Sequence, residues 1–315
     1  MYFGGPQAEY PAFSAEIKPP DANIGNIEDF VRKKYRAIPN LKPENAGYIR
    51  WADSTRRRTE YSILYLHGFS ASPMEGDPVH REFAKKFGCN LYAPLLAKHG
   101  IEDKESFKDL TPKDLIDSAK EAIAVAQILG EKVIILSCST GSTLSVYLTA
   151  HNPDAVHAQL LFSPNIDLAD RTTDLLTKPW GLQIAQKVTG SAYRHVPLPA
   201  PCHPYWTMDY RLEGVVALKA LVQQTMTAEV FAKITQPLFV GYYYKNNEES
   251  DHTVSVPAIR EFVKQVNTPA HLKKEKAYLN GTHVMLSPLQ NPDITEARED
   301  CYRFAEEVLR MVPQH

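Results

Sequence analysis

The stretch VIILSCSTGS, residues 133–142, decides the fold, because branched apolar residues run directly into a cluster of small polar ones. Residues 133–136 are typical of a strand that is buried on both faces of a sheet. The small residues follow immediately, and residues 141–151 then have the pattern of a helix. A buried strand that turns directly into a helix is typical of a parallel α/β sheet.

The same alternation of strand and helix continues on both sides of this stretch. The clearest helix begins after Thr111, has Pro112 in its first turn and ends at Gly130. We therefore predict one α/β domain, residues 46–315, with a mostly parallel central sheet flanked by helices. The predicted strands are residues 61–66, 90–94, 133–137, 158–163, 237–244 and 276–280, and the other predicted helices are residues 77–87, 141–151, 257–266 and 293–311.

Two parts of the chain depart from this alternation. Residues 1–45 precede the first predicted strand and carry four prolines between positions 6 and 20, which predicts an extended N-terminal arm.

Residues 167–234 contain two helical patterns without a convincing strand between them, which predicts a helical cap inserted into the domain. Between those helices, residues 197–210 are rich in proline and aromatics. They suit either an apolar substrate wall, formed by Tyr205, Trp206 and Met208, or the packing of the cap onto the domain.

Charge and composition limit the partners of the chain. The 35 Lys and Arg residues nearly balance 37 Asp and Glu residues, and no long basic run occurs, so we expect no nucleic-acid partner. No segment approaches the roughly 18 consecutive apolar residues of a membrane-spanning helix. The four cysteines lack metal-ligand spacing and favour a reduced state, although an oxidised pair is also compatible with the sequence.

The compartment is left open by the same features. As it stands, the chain lacks the pattern of a signal peptide and is expected to be cytoplasmic. Its proline-rich and aromatic start also fits a periplasmic or membrane-anchored protein from which an upstream signal or anchor has been removed. The sequence gives no indication of the oligomeric state.

The segment Ser137-x-Ser139-x-Gly141 has the spacing of a nucleophile elbow, in which small residues flank a nucleophile. A serine at such a strand-to-helix turn adopts a strained backbone, and its flanks are small because neighbouring backbone passes close to them. The helix that begins near Thr140 directs free N–H groups and its positive dipole end to the same place. Taken alone, the pattern also fits a serine-rich turn that only caps the helix.

A second polar segment, HGFSASP at residues 67–73, directly follows the first predicted strand. We expect the N–H of Phe69 to join the N–H of Thr140 in an oxyanion hole. His67 is expected to be a structural histidine of this loop.

Two further polar segments, KNNEESDHTV at residues 245–254 and GTHVMLSP at residues 281–288, follow the last two predicted strands. Active sites of such sheets gather at the carboxyl ends of the strands. We predict that Asp251 orients His283 and that His283 accepts the proton of Ser139. Glu248 and Glu249 share the loop of Asp251 and remain alternatives for the acid, and His252 is adjacent.

Together, YLHGFSASP (residues 65–73), SCSTGS (137–142), the Asp251 loop and GTHV (281–284) resemble the α/β-hydrolase superfamily. Within it, they are most similar to bacterial carboxylesterases and monoacylglycerol lipases. The segment APLLAKHG, residues 93–100, also resembles a loop of that branch, with Lys98 in place of a more usual glycine. The resemblance runs from about residue 61 to the C-terminus, and residues 1–45 have no counterpart in it.

The resemblance implies a hydrolase that needs no cofactor, metal or nucleotide. Ser139 would form an acyl-enzyme with a small ester substrate that carries an apolar acyl group, and water activated by His283 would release the acid. Two alternatives stay open: the same triad cleaves amides, thioesters or carbon–carbon bonds, or the chain is an inactive hydrolase-fold binding protein. Cys138, beside the nucleophile, is expected to be structural.

Overall fold

A mostly parallel sheet forms the centre of the protein. The structure, a computed structural model, describes residues 4–314. The sheet contains seven strands: β1 (Tyr48–Arg50), β2 (Thr59–Leu66), β3 (Asn90–Ala93), β4 (Gly130–Cys138), β5 (Ala158–Phe162), β8 (Leu238–Tyr243) and β9 (Lys273–Tyr278). Two further strands, β6 (Tyr193–His195) and β7 (Asp209–Arg211), pair only with each other.

The strand order across the sheet is β1-β3-β2-β4-β5-β8-β9. All neighbouring strands are parallel except β1 and β3, which are antiparallel. The prediction of a mostly parallel sheet is therefore confirmed, and each predicted strand is present. Leu66 at the end of β2 pairs with Ser137, and Cys138 at the end of β4 pairs with Phe162 of β5. This register brings the carboxyl ends of the three central strands to one edge.

Helices cover both faces of the sheet. Alternate residues of β2 point to opposite faces, and Leu64 and Leu66 pack in one apolar cluster while Ile63 and Tyr65 pack in another. The helices are α1 (Ile27–Arg36), α2 (Val79–Lys86), α3 (Pro112–Leu129), α4 (Thr140–His151), α5 (Gly181–Thr189), α6 (Leu212–Thr225), α7 (Ala228–Phe231), α8 (Val256–Gln265) and α9 (Thr295–Glu307). The first cluster includes residues of α1, α3 and α4, and the second includes residues of α2 and α9.

The predicted N-terminal arm, residues 1–45, is not extended throughout, because it contains α1. Ile27, Val31 and Tyr35 recur every four residues and are buried on one side of this helix. Acidic residues in its first turn and basic residues in its last turn also complement the helix dipole. Residues 1–3 of the predicted arm and residue 315 of the predicted domain lie outside the described residues.

The part of the arm before α1 contacts α4 and the residue that precedes α5. The carbonyl of Pro6 accepts a hydrogen bond of 2.8 Å from the N–H of Trp180, just before α5. The carbonyl of Ala15 accepts one of 2.8 Å from the side-chain amide of Asn152, at the end of α4. Phe13 also packs edge-to-face on the ring of Tyr147. The arm therefore contacts both α4 and the region predicted as a cap, residues 167–234.

The region predicted as a helical cap, residues 167–234, contains α5, α6 and α7, but it is not purely helical. Strands β6 and β7 form an antiparallel pair, with Tyr193 opposite Arg211 and His195 opposite Asp209. The sequence did not reveal them because each has three residues, too few to display an alternating pattern. We call residues 167–234 the cap insertion. Within residues 4–314, no helix is long and apolar enough to cross a membrane.

Candidate active site

Ser139 occupies the sharp turn between β4 and α4. Its backbone has φ 52° and ψ −118°, a conformation that costs energy in a non-glycine residue. Hydrogen bonds on both sides maintain it: the N–H of Ser139 donates to the carbonyl of Phe162 at 3.0 Å, and its carbonyl accepts from the N–H of Ser142 at 2.9 Å. The strained turn is the feature predicted for a nucleophile elbow.

The residues on either side of this turn have little space. A Cβ atom on Gly141 would lie 2.0 Å from the carbonyl oxygen of Leu66 and 2.8 Å from that of His67. Ser137 is fully buried, and its hydroxyl lies 2.9 Å from the hydroxyl of Ser142. The close passage of β2 therefore explains why position 141 is a glycine.

His283 and Asp251 form a hydrogen-bonded pair beside this turn. The Nδ1 atom of His283 lies 2.7 Å from Oδ2 of Asp251, whose side chain is inaccessible to solvent. The other carboxylate oxygen accepts hydrogen bonds from the N–H groups of Thr253 and Val254, at 2.8 and 3.2 Å. Of the alternative acids, Glu249 is exposed and pairs with Lys245.

The surroundings of this pair shift both pKa values. Burial acts to raise the pKa of Asp251, but the charge and hydrogen bond of His283 and the two backbone N–H groups hold this pKa below its ordinary value. For His283, burial acts to lower the pKa, but Asp251 and the more distant charge of Glu75 outweigh it and raise this pKa. The ionised carboxylate therefore makes the imidazole a stronger base.

The loop after β2 is fixed by His67. The N–H of Leu96 donates to Nε2 of His67 at 3.0 Å, so the ring proton is assigned to Nδ1, which donates to the carbonyl of Gly68 at 2.8 Å. Burial lowers the pKa of His67 well below its ordinary value and keeps the ring neutral. His67 therefore supports the loop, as expected from the sequence.

The two predicted oxyanion donors, the N–H groups of Phe69 and Thr140, have no acceptor within residues 4–314. The carbonyl of Gly68 faces His67, and the N–H of Phe69 in the same peptide group points the opposite way. Thr140 is the first residue of α4, where the N–H groups have no partner within the helix. Both donors are thus free to bind an oxygen atom.

A cavity of about 290 Å³ lies beside these groups, and several of them line it. Ser139, His283 and Phe69 line it, together with Glu75. The cap insertion supplies much of its apolar wall, which includes Leu168, Val196, Leu198, Trp206, Val215 and Leu218. Other polar lining residues are Ser70, Asn165, Asp170, Thr173, Arg194, His252, Thr253 and Gln290.

Only one of the three predicted substrate-binding residues lines the cavity. Trp206 lines the cavity, whereas Tyr205 and Met208 are absent from its wall. Both instead pack against a small apolar cluster that contains Trp206, and the hydroxyl of Tyr205 donates to Glu44 at 3.0 Å. The aromatic segment therefore contributes Trp206 to the cavity lining, and Tyr205 and Met208 to the packing beside it.

Several lining residues were not anticipated. Asn165 follows the carboxyl end of β5, the same signal that identified the other polar loops. Arg194 lies on β6, which the sequence did not reveal. Glu75 lies in a short turn after β2, and no pattern in the sequence distinguishes it from a surface glutamate.

Cys138, the residue before Ser139, is buried. Burial raises the pKa of the Cys138 thiol well above its ordinary value, so the thiolate does not form readily. All four cysteines are buried and unpaired by disulfides. Within residues 4–314, no cluster of three or more His, Cys, Asp or Glu side chains is arranged to hold a metal ion.

Proteins with similar sequences or structures include lipases, esterases and an α/β hydrolase domain-containing protein. The thermostable monoacylglycerol lipase of Bacillus sp. (strain H-257) is 29% identical over 92 residues, which are 29% of this chain and 36% of that protein. This stretch therefore spans about a third of the relative's length. No family profile matches the chain.

The solved structures extend the similarity over most of the chain. A structure of the metagenome-derived lipolytic enzymes LipS and LipT matches with a TM-score of 0.66 and 14% identity, over 85% of this chain and 98% of that one. The mouse α/β hydrolase domain-containing protein 10 matches with a TM-score of 0.56 and 13% identity, over 82% of this chain and 93% of that one. The chain has the α/β-hydrolase fold.

Proposed function

We propose that the protein is a serine hydrolase that cleaves carboxylic esters with an apolar acyl group. One observation carries this proposal: Ser139, on its strained turn, lines the same cavity as His283, whose ring is held by Asp251 at 2.7 Å. The lipolytic enzymes that share the fold support the same reaction class.

Acylation follows from the assigned hydrogen bonds. Because Nδ1 of His283 donates to Asp251, Nε2 of the neutral ring carries the lone pair that takes the proton of Ser139. The Oγ atom of Ser139 then attacks the ester carbonyl, and the oxygen of the tetrahedral intermediate accepts hydrogen bonds from Phe69 and Thr140. His283 passes its proton to the leaving alcohol, which departs from the acyl-enzyme.

Deacylation repeats these steps with water. His283 takes a proton from water, and the resulting hydroxide attacks the acyl carbonyl. The intermediate then collapses, and His283 returns the proton to Oγ of Ser139 as the carboxylic acid leaves. In both halves, the ionised Asp251 stabilises the imidazolium.

The lining of the cavity supports the choice of acyl group. Its apolar side chains come largely from the cap insertion and face the space beside Ser139. Burial of each CH₂ group of an acyl chain against such a wall contributes about 0.8 kcal/mol. An alkyl ester therefore gains binding energy here that a short polar ester does not.

The proposal is tested by turnover of p-nitrophenyl butyrate and by labelling with a fluorophosphonate. The Ser139→Ala variant is expected to lose both, whereas the matched variant Cys138→Ala, at the neighbouring position, is expected to keep both. A wild-type protein that neither cleaves esters nor takes the label would refute the proposal and favour a binding protein. A panel of matched amides and thioesters then determines which acyl bond is preferred.

A further inference from the structure

Glu75 is a buried carboxyl group that the proposed mechanism does not use. It lies in the short turn Pro73–Gly76 and is 2% exposed. It lines the cavity together with Ser139 and His283. Burial of a carboxyl group is unfavourable unless other groups bind it, so its contacts indicate its role.

The carboxyl group binds the backbone of the loop after β2. Its Oε2 atom accepts hydrogen bonds from the N–H of Gly68 at 2.7 Å and from the hydroxyl of Tyr65 at 3.0 Å. A Cβ atom on Gly68 would lie 2.9 Å from Oε1 of Glu75 and 3.1 Å from Cβ of Ser139. The Gly68 backbone is therefore held between the carboxyl group and the proposed nucleophile.

We propose that Glu75 is a positioning residue, which binds the N–H of Gly68 and so keeps the next N–H, that of Phe69, directed at the substrate oxygen. Gly68 has no side chain to restrict its backbone, so hydrogen bonds hold its two peptide groups. Glu75 binds the N–H on one side, and His67 binds the carbonyl on the other. This inference rests on the proposed function, because the oxyanion forms only in that reaction.

Burial places the pKa of Glu75 near neutral pH. Tyr65 on β2, Cys138 on β4 and His283 after β9 face it. Burial raises the pKa of Glu75 to about 7, although hydrogen bonds from Gly68 and Tyr65 and the charge of His283 act to lower it. The ionised form also raises the pKa of His283. Removal of this charge should therefore be visible in the pH dependence of the reaction.

Three variants test the role through activity. Glu75→Ala removes the acceptor for the Gly68 N–H and is expected to lower kcat by about 10²-fold with KM little changed, as when an oxyanion donor is lost. Glu75→Gln keeps an acceptor and is expected to restore kcat to within a few-fold, while the acidic limb of kcat/KM moves to lower pH. Tyr65→Phe is the matched control, since it removes the other hydrogen bond to the same oxygen, and its effect should be only a few-fold.

A measurement that needs no activity separates this inference from the proposed function. In the wild-type protein, the NMR signal of the Gly68 amide proton should titrate with a midpoint near pH 7, and in Glu75→Gln this titration should be absent. Equal kcat losses in Glu75→Ala and Tyr65→Phe, or a Gly68 signal without the titration, would overturn the positioning role. If the wild-type protein cleaved no ester, the proposed function would fail, and the Gly68 titration would still decide whether Glu75 binds this N–H.

Discussion

The substitution Asp251→Asn is expected to abolish most of the activity through the tautomer of His283. Oδ1 of Asp251 accepts two backbone N–H groups, whereas Oδ2 faces Nδ1 of His283. In the variant, the amide oxygen has to stay with the two N–H donors, because reversal would lose both hydrogen bonds at about 1–3 kcal/mol for each unsatisfied group. The amide NH₂ group therefore faces Nδ1 of His283.

An NH₂ group in that position is a donor, so Nδ1 becomes an acceptor and the ring proton moves to Nε2. Nε2 is then unable to take the proton of Ser139. The expected loss in kcat is about 10⁴-fold, which corresponds to about 5.5 kcal/mol of transition-state stabilisation. The pKa of His283 should also fall in this variant, because the charge and hydrogen bond of Asp251 are the main cause that raises it.

The assay is kcat on p-nitrophenyl butyrate, with ¹⁵N NMR of His283 to identify the protonated nitrogen. The variant is expected to fold, because the substitution preserves the size and shape of the side chain, and circular dichroism checks this. A kcat within ten-fold of the wild-type value, in a folded variant whose His283 carries its proton on Nε2, would refute the reasoning, as it would show that the tautomer does not limit the reaction.

Three further predictions concern the turn, the base and the wall. Gly141→Ala should destabilise the protein by at least about 1–3 kcal/mol in urea unfolding, because its Cβ would lie 2.0 Å from a carbonyl oxygen; an unchanged midpoint would contradict this. Only neutral His283 accepts the proton of Ser139, so kcat/KM should rise with pH. The midpoint should lie above 6.5, the ordinary pKa of a histidine, because the pKa of His283 is raised. A midpoint below 6.5 would count against His283 as the base. Trp206→Ala should raise KM for longer acyl chains more than for acetate, whereas Tyr205→Phe, outside the wall, should leave both KM values unchanged.

The centre of the sheet was predictable because its strands β2, β4, β5 and β8 are buried along most of their length. Such strands are continuous apolar runs, and glycine, proline or polar clusters end each of them. The edge strand β1 and the pair β6–β7 have three residues each, and short strands acquire their structure from their partners. The helix α1 was missed because its buried face, from Ile27 to Tyr35, follows a proline-rich segment that suggested an extended chain throughout.

The candidate site was predictable where chemistry follows the end of a strand. Ser139 directly follows β4, and Asp251 and His283 lie in the loops that follow β8 and β9. The parallel register brings the ends of these strands to a single edge. Glu75 and Arg194 lack this signal, because a turn and the cap insertion bring them to the cavity. The division of residues 205–208 between wall and packing depends on side-chain direction, which composition does not reveal.

The hydrogen bonds of the N-terminal arm impose an order on folding. The partner of Ala15, Asn152, lies 137 residues later in the chain, and the partner of Gln7, Thr177, lies 170 residues later. At about 5–20 residues per second, the ribosome needs on the order of ten seconds to make the intervening chain. The arm is therefore synthesised before these partners and can dock only after they have been made. Its docking requires that α4 and the start of the cap insertion are already in place.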